Sequence, residues 1–224
     1  MEEIGAREEA VYLTRKTGVL PAMKLKERED VLPYVRAMYA GGARVVEITM
    51  TTPGVLDMFK AVRREFGREL HLAAGTVLDE ATAREAVSSG ATVLVSPAVT
   101  PEVIATANRY RVACYSGAFT ATECLTAMQA GADMVKIFPA ALGGPAYMTN
   151  LRMVYPDVRL IPSGGISLEN AGDFIRSGAS AVSGARNFFD RGAVEREGLD
   201  WITRQVAAYI HIVADARATA PPLP

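Results

Sequence analysis

Gly131-Ala132-Asp133-Met134-Val135-Lys136 is one of four stretches in which a Gly-Ala step runs into a short apolar segment. The others are Gly41-Gly42-Ala43-Arg44-Val45-Val46-Glu47, Gly90-Ala91-Thr92-Val93-Leu94-Val95 and Gly178-Ala179-Ser180-Ala181-Val182-Ser183. Each segment is short enough for a buried strand. Each glycine follows residues with helical spacing, where a left-handed conformation ends a helix. The intervals between the four are each long enough for two strand-helix units. A second set of apolar runs fills them: Gly18-Val19-Leu20-Pro21-Ala22-Met23, Leu70-His71-Leu72-Ala73-Ala74, Val112-Ala113-Cys114-Tyr115 and Val158-Arg159-Leu160-Ile161. Eight strands alternating with helices predict an α/β protein of the (β/α)8, or TIM-barrel, type, compact for that fold. An open doubly wound sheet is the alternative, but no Gly-x-Gly-x-x-Gly follows the first strand.

Helix punctuation agrees with this order. Asp79, Thr100, Thr120 and Ser167 stand where helices begin and are N-cap residue types. Thr120-Ala121-Thr122-Glu123 has the spacing of a capping box. The expected organisation is an N-terminal helix within residues 1–17, a single barrel domain over 18–219 and a disordered or extended tail at 220–224. Ile4, Val11 and Leu13 give the first helix a weak apolar face. A long C-terminal helix is expected from Val194 to Ala218, on the face of Leu199, Trp201, Ile202, Val206, Tyr209, Ile210 and Val213.

Half of the 224 residues are hydrophobic and 22% are charged, with a formal net charge of -1. That composition builds a substantial core and has no basic footprint for nucleic acid or an anionic membrane. No apolar run reaches the length of a membrane span, and the acidic start Met1-Glu2-Glu3 is unlike a signal peptide. Cys114 and Cys124 are too few for a disulfide scaffold and read as buried small side chains. His71 and His211 lack metal-ligand spacing. A cytoplasmic protein with no metal and no cofactor is expected.

Aligned on glycines 42, 90, 131 and 178, the fifth position holds Glu47, Val95, Lys136 and Ser183. These belong to alternate strands, whose inward side chains share a layer in a barrel, so Glu47 and Lys136 are expected to face each other across an apolar interior. A lysine there attacks a carbonyl only as the neutral amine, which burial favours and a carboxylate opposes. A glutamate there suits proton transfer. Schiff-base chemistry on a ketone is one reading, and a buried ion pair that merely braces the barrel is the other. Polar groups at other strand ends point to the same rim: Gly75-Thr76, Ser96-Pro97, Ser116-Gly117 and Ser163-Gly164-Gly165. A glycine pair after the seventh strand frees backbone N–H groups where barrels of this type commonly bind phosphate.

Six stretches in order then resemble one family, the 2-keto-3-deoxy-6-phosphogluconate and 4-hydroxy-2-oxoglutarate aldolases. They are Val46-Glu47-Ile48-Thr49, Ala74-Gly75-Thr76-Val77, Val95-Ser96-Pro97, Thr120-Ala121-Thr122-Glu123, Val135-Lys136-Ile137-Phe138-Pro139-Ala140 and Pro162-Ser163-Gly164-Gly165-Ile166. The resemblance runs from about residue 18 to 184. It implies a class I, metal-independent aldolase, commonly trimeric, that reversibly cleaves a 2-keto-4-hydroxy acid to pyruvate and an aldehyde. Under it, Lys136 is the Schiff-base lysine and Glu47 the proton shuttle. Thr76 contacts the pyruvate carboxylate, Gly164 and Gly165 bind phosphate, and Lys24, Thr49, Ser96, Pro97, Phe138 and Ser163 complete the substrate contacts. Three positions depart from the family pattern. Lys24 replaces a common arginine, Ser116-Gly117 a Pro-Gly, and Ala185-Arg186 the Gly-Ser that contacts phosphate. Arg186 is an expected contact for a phosphate or a second carboxylate. Two other functions use the same residues: decarboxylation of a 2-keto diacid such as oxaloacetate through Lys136, and a non-catalytic barrel that binds sugar phosphates.

Overall fold

A computed structural model describes residues 5–220. Ile4 and the end of the tail, 221–224, lie outside them. Eight parallel strands alternate with helices: β1 (Val19–Met23), β2 (Val45–Thr49), β3 (His71–Gly75), β4 (Val93–Val95), β5 (Ala113–Ala118), β6 (Met134–Ile137), β7 (Leu160–Pro162) and β8 (Val182–Gly184). Strands β1 to β7 pair in sequence order, and β1 pairs with β8. Bridges from Leu160 to Ala179 and from Ser163 to Ser183 close the ring between β7 and β8. The fold is a TIM barrel.

The helices are α1 (Ala6–Thr17), α2 (Leu32–Ala40), α3 (Val55–Phe66), α4 (Glu80–Ser88), α5 (Pro101–Tyr110), α6 (Ala121–Gln129), α7 (Gly144–Val154), α8 (Leu168–Arg176), α9 (Arg191–Glu197) and α10 (Asp200–Thr219). Asp79 caps α4 by accepting from the Thr82 N–H at 2.7 Å, and Thr120 and Glu123 form the expected box on α6. Thr100 occupies the N-cap of α5 without a side-chain cap. The helical stretch from Val194 to Ala218 is broken: Gly198, at φ 74°, ends α9, and α10 starts afresh at Asp200. A left-handed residue cannot continue an α-helix, so the pattern splits there. α10 buries Ile202, Val206, Tyr209 and Val213 within its own chain, against α2 and α8.

Two apolar regions hold the barrel. One lies between strands and helices. The other fills the interior with Leu20, Val45, Val93, Tyr115, Met134 and Ile161, and Ala10 and Val11 of α1 pack onto it. α1 therefore plugs the N-terminal mouth. It is fastened by polar contacts that leave few groups unpaired. Thr14 Oγ1 and the Tyr115 hydroxyl lie 2.8 Å apart, and Tyr115 also donates to the Ala10 carbonyl at 3.3 Å. Arg7 bridges Asp133 at 2.9 Å, Asn108 at 2.8 Å and the Gly131 carbonyl at 3.0 Å. Buried hydrogen bonds of this kind contribute about 1 kcal/mol each, and losing one partner costs more than that.

Candidate active site

The other end of the barrel is open. A cavity of about 520 Å³ lies at the C-terminal ends of the strands, with Glu47 and Lys136 in its wall. Glu47 is central in β2, paired in register with Ala22 and Ala73, and Lys136 is paired with Gly117 and Ile161. Strand alternation turns both inward. Lys136 Nζ lies 3.4 Å from Glu47 Oε2 and 3.5 Å from Oε1, with 12% and 2% of the two side chains exposed. The other members of that layer, Val95 and Ser183, are fully buried. The Ser183 hydroxyl has no hydrogen-bond partner among the described residues.

Gly75 makes room for the carboxylate. A Cβ on Gly75 would stand 2.7 Å from Glu47 Cδ and closer still to Oε1. The next residue, Thr76, has φ 60°, a left-handed conformation that a β-branched residue rarely adopts. It lines the cavity beside Thr49 and Pro97. Thr49 Oγ1 is 3.1 Å from Thr51 Oγ1, so a second threonine steadies its hydroxyl.

Ser163, Gly164 and Gly165 form one rim, with Phe138 beside them. Gly164 and Gly165 both have left-handed backbones, at φ 83° and 81°. Among the described residues neither of their N–H groups has an acceptor, while Asn170 Nδ2 holds the Gly165 carbonyl at 2.9 Å. Two free donors in successive left-handed residues make an anion-binding concavity. The turn after β8 supplies the facing rim, Gly184 to Asn187. Arg186 belongs to it, yet 95% of its side chain is exposed and its guanidinium is 3.8 Å from Asp190.

Two expected contacts lie elsewhere. Lys24 follows β1 as an exposed residue outside the cavity lining. Ser96 is buried behind it, and its hydroxyl donates to the Ala98 carbonyl at 2.7 Å while accepting from the Gly117 N–H at 3.3 Å, which pins the β4-α5 turn to β5. That hydroxyl is committed to backbone. Conversely, Ala22, Ile166 and Asn187 line the cavity without having been anticipated. Asn187 follows a strand end, where no periodicity marks a residue. A larger recess of about 620 Å³ outside the barrel shares Thr76 but includes neither Glu47 nor Lys136.

The remaining reactive types are structural in their surroundings. Burial pushes the Cys114 thiol up to about 12 and the Cys124 thiol up to about 11. His71 lies at the plugged end, and His211 is exposed beside Asp215 on α10. Among the described residues no cluster of three or more His, Cys, Asp or Glu could hold a metal ion, and no helix is long and apolar enough to cross a membrane.

The family model for KDPG and KHG aldolases matches residues 11–205. The chain belongs to the KDPG and KHG aldolase family. The class of enzyme is therefore an aldolase, a carbon-carbon lyase. A 2-dehydro-3-deoxy-phosphogluconate aldolase of Treponema pallidum is 39% identical over 161 residues, 71% of this chain and 76% of its own. One from Pseudomonas aeruginosa is 33% identical over 190 residues, 84% of this chain and 85% of its own. Among solved structures, a KDPG aldolase from Legionella pneumophila with pyruvate captured as a covalent carbinolamine intermediate superposes with TM-score 0.81 at 26% identity. That match covers 89% of this chain and 97% of the other. The barrel fold is thus that of an aldolase family.

Proposed function

We propose that this aldolase works through a Schiff base on Lys136, cleaving a 2-keto-4-hydroxy acid to pyruvate and an aldehyde. The observation that carries the reading is the Lys136 amine 3.4 Å from the Glu47 carboxylate inside the open end of the barrel. The amine attacks the C2 ketone, and water leaves to give an iminium. Glu47 accepts the C4 hydroxyl proton, directly or through a water, as the C3–C4 bond breaks. The electron pair of that bond moves into the enamine, and the aldehyde departs. Glu47 returns a proton to C3, and hydrolysis of the iminium releases pyruvate and restores the amine. The pyruvate part fits between Thr49, Thr76 and Pro97, with its carboxylate near Thr76. A terminal phosphate on the aldehyde part fits the free N–H groups of Gly164 and Gly165. Ser163 and Phe138 flank the chain of the substrate.

Arg186 is paired with Asp190 and turned to solvent, so nothing favours a second substrate carboxylate at that rim, and cleavage is preferred to decarboxylation. Assembly as a homotrimer in the cytoplasm completes the proposal, on the family pattern.

Borohydride reduction in the presence of saturating pyruvate tests the lysine. A mass increase localised to Lys136 is expected, and an unmodified Lys136 would overturn the mechanism. Pyruvate release from 2-keto-3-deoxy-6-phosphogluconate and from 4-hydroxy-2-oxoglutarate then ranks phosphorylated against unphosphorylated substrates.

A further inference from the structure

Several helices end at the plugged face of the barrel with arginine in their last turns, among them α1 with Arg15, α7 with Arg152 and α10 with Arg217. A cation there complements the helix carbonyls. Arg217 is used in that way against the end of α1, whereas Arg152 holds a carbonyl that lies ahead of β7. Arg217 donates to the carbonyls of Lys16 at 3.1 Å, Arg15 at 2.6 Å and Ser180 at 2.8 Å, and Arg152 Nη1 donates to the Val158 carbonyl at 2.8 Å.

Helix ends do not account for Arg159. It lies on no helix, immediately before β7, and it lines the same recess as Arg15 and Arg152. That recess has a volume of about 480 Å³. Among the described residues, neither Arg15 nor Arg159 has a side-chain hydrogen bond or ion pair, and Arg152 Nε is buried without a partner. Asp157 also lines the recess but forms no ion pair with any of the three. Arg217 stands close enough for the Arg15 charge, after burial, to lower its affinity for its proton. Like charges gathered around a hollow repel one another, and a bound anion removes that cost.

We infer that this recess is a second binding site, for a phosphate group either free or carried on a small metabolite. Guanidinium forks match phosphate oxygens two at a time, and Arg15 and Arg159 offer unused donors to a volume that Arg152 also lines. The chain has a net charge of -1, so the cluster is a local arrangement and not part of a generally basic surface. Its size suits a small anion rather than a polymer. β7 separates Arg159 from Ser163 by about 13 Å at 3.3 Å per residue, so an anion here does not touch the cavity at Lys136. The site stands whether or not Lys136 forms a Schiff base.

Calorimetric titration of the full chain with orthophosphate, pyrophosphate and glucose 6-phosphate tests it. The wild type is compared with Arg15→Gln/Arg159→Gln and with Gly164→Ala, which crowds the cradle at the open end. One class of binding is expected to survive in Gly164→Ala and to weaken about tenfold or more in the double glutamine variant. Both arginines are exposed, so that variant is expected to unfold at the wild-type temperature and to turn over saturating substrate at the wild-type rate. Equal affinity of the esterified and free phosphate assigns the free ion; tighter binding of the ester assigns a metabolite. Binding unchanged in the double variant, or abolished in Gly164→Ala, overturns the inference.

Discussion

Gly75 and Glu47 occupy one space: a side chain on Gly75 would overlap the Glu47 carboxyl group, with Cβ 2.7 Å from Cδ. The carboxylate faces Lys136 because the neighbouring strand carries no side chain at that height. Gly75→Ala is therefore expected to turn Glu47 away and to lower kcat by about tenfold or more, within the range that a positioned acid-base group contributes. Borohydride trapping of pyruvate on Lys136 remains in this variant. Wild-type kcat would mean that Glu47 shifts at no cost.

Glu47→Gln keeps the shape and removes the proposed base. Turnover is expected to fall by about 10² to 10⁴ while the pyruvate adduct still forms. Steady-state kcat beside adduct mass separates the two effects, and an unaltered kcat would assign proton transfer to another group.

Lys136→Met leaves a carboxylate that is 2% exposed without its cation. Breaking a buried pair from one side costs about 3–5 kcal/mol. Urea unfolding is expected to show that loss, and adding Glu47→Gln to recover much of it. A double variant no more stable than Lys136→Met would show that the two groups are not energetically coupled.

At the plugged end, His71 Nε2 is 3.4 Å from Glu9 and Nδ1 is 3.2 Å from Thr92 Oγ1. Burial holds its pKa below the ordinary 6.5, and Glu9 only partly opposes this. The folded state thus resists taking a proton that the unfolded chain accepts. Below about pH 6.5 the unfolded state binds more protons, so the contribution of His71 to stability declines as pH falls and levels off below the folded pKa. Urea midpoints between pH 8 and 5 are expected to fall more steeply for the wild type than for His71→Asn. Parallel profiles would remove His71 from the acid response.

Cys114 and Cys124 are buried thiols held up at about 12 and about 11. Native protein at pH 8 is expected to resist iodoacetamide, and urea-unfolded protein to gain two adducts. Rapid native labelling would show local opening of β5 or α6.

The barrel is legible from sequence because each Gly-Ala step combines a helix stop with an apolar run, and the two signals reinforce one another. The shared level of Glu47 and Lys136 follows from counting along alternate strands. Contacts made by turns are harder to read. The Ser96 hydroxyl resembles a rim donor until the Ala98 carbonyl is seen to take it. Lys24 continues the inward parity of β1, but past Met23 the strand has ended and parity no longer sets direction. Gly198 is one glycine inside an otherwise helical pattern, and only its backbone angle reveals two helices.

The α1 plug gives this vessel a single door. Below Lys136 the interior is solid with Met134, Tyr115 and Ile161, and Ala10 and Val11 seal the floor. Whatever reaches Lys136 from solvent must return by the path it entered. Under the proposed Schiff base on Lys136, the fragment nearer the mouth has to clear before the one held on the lysine can follow, and the order of product departure is written into which end of the barrel is stoppered.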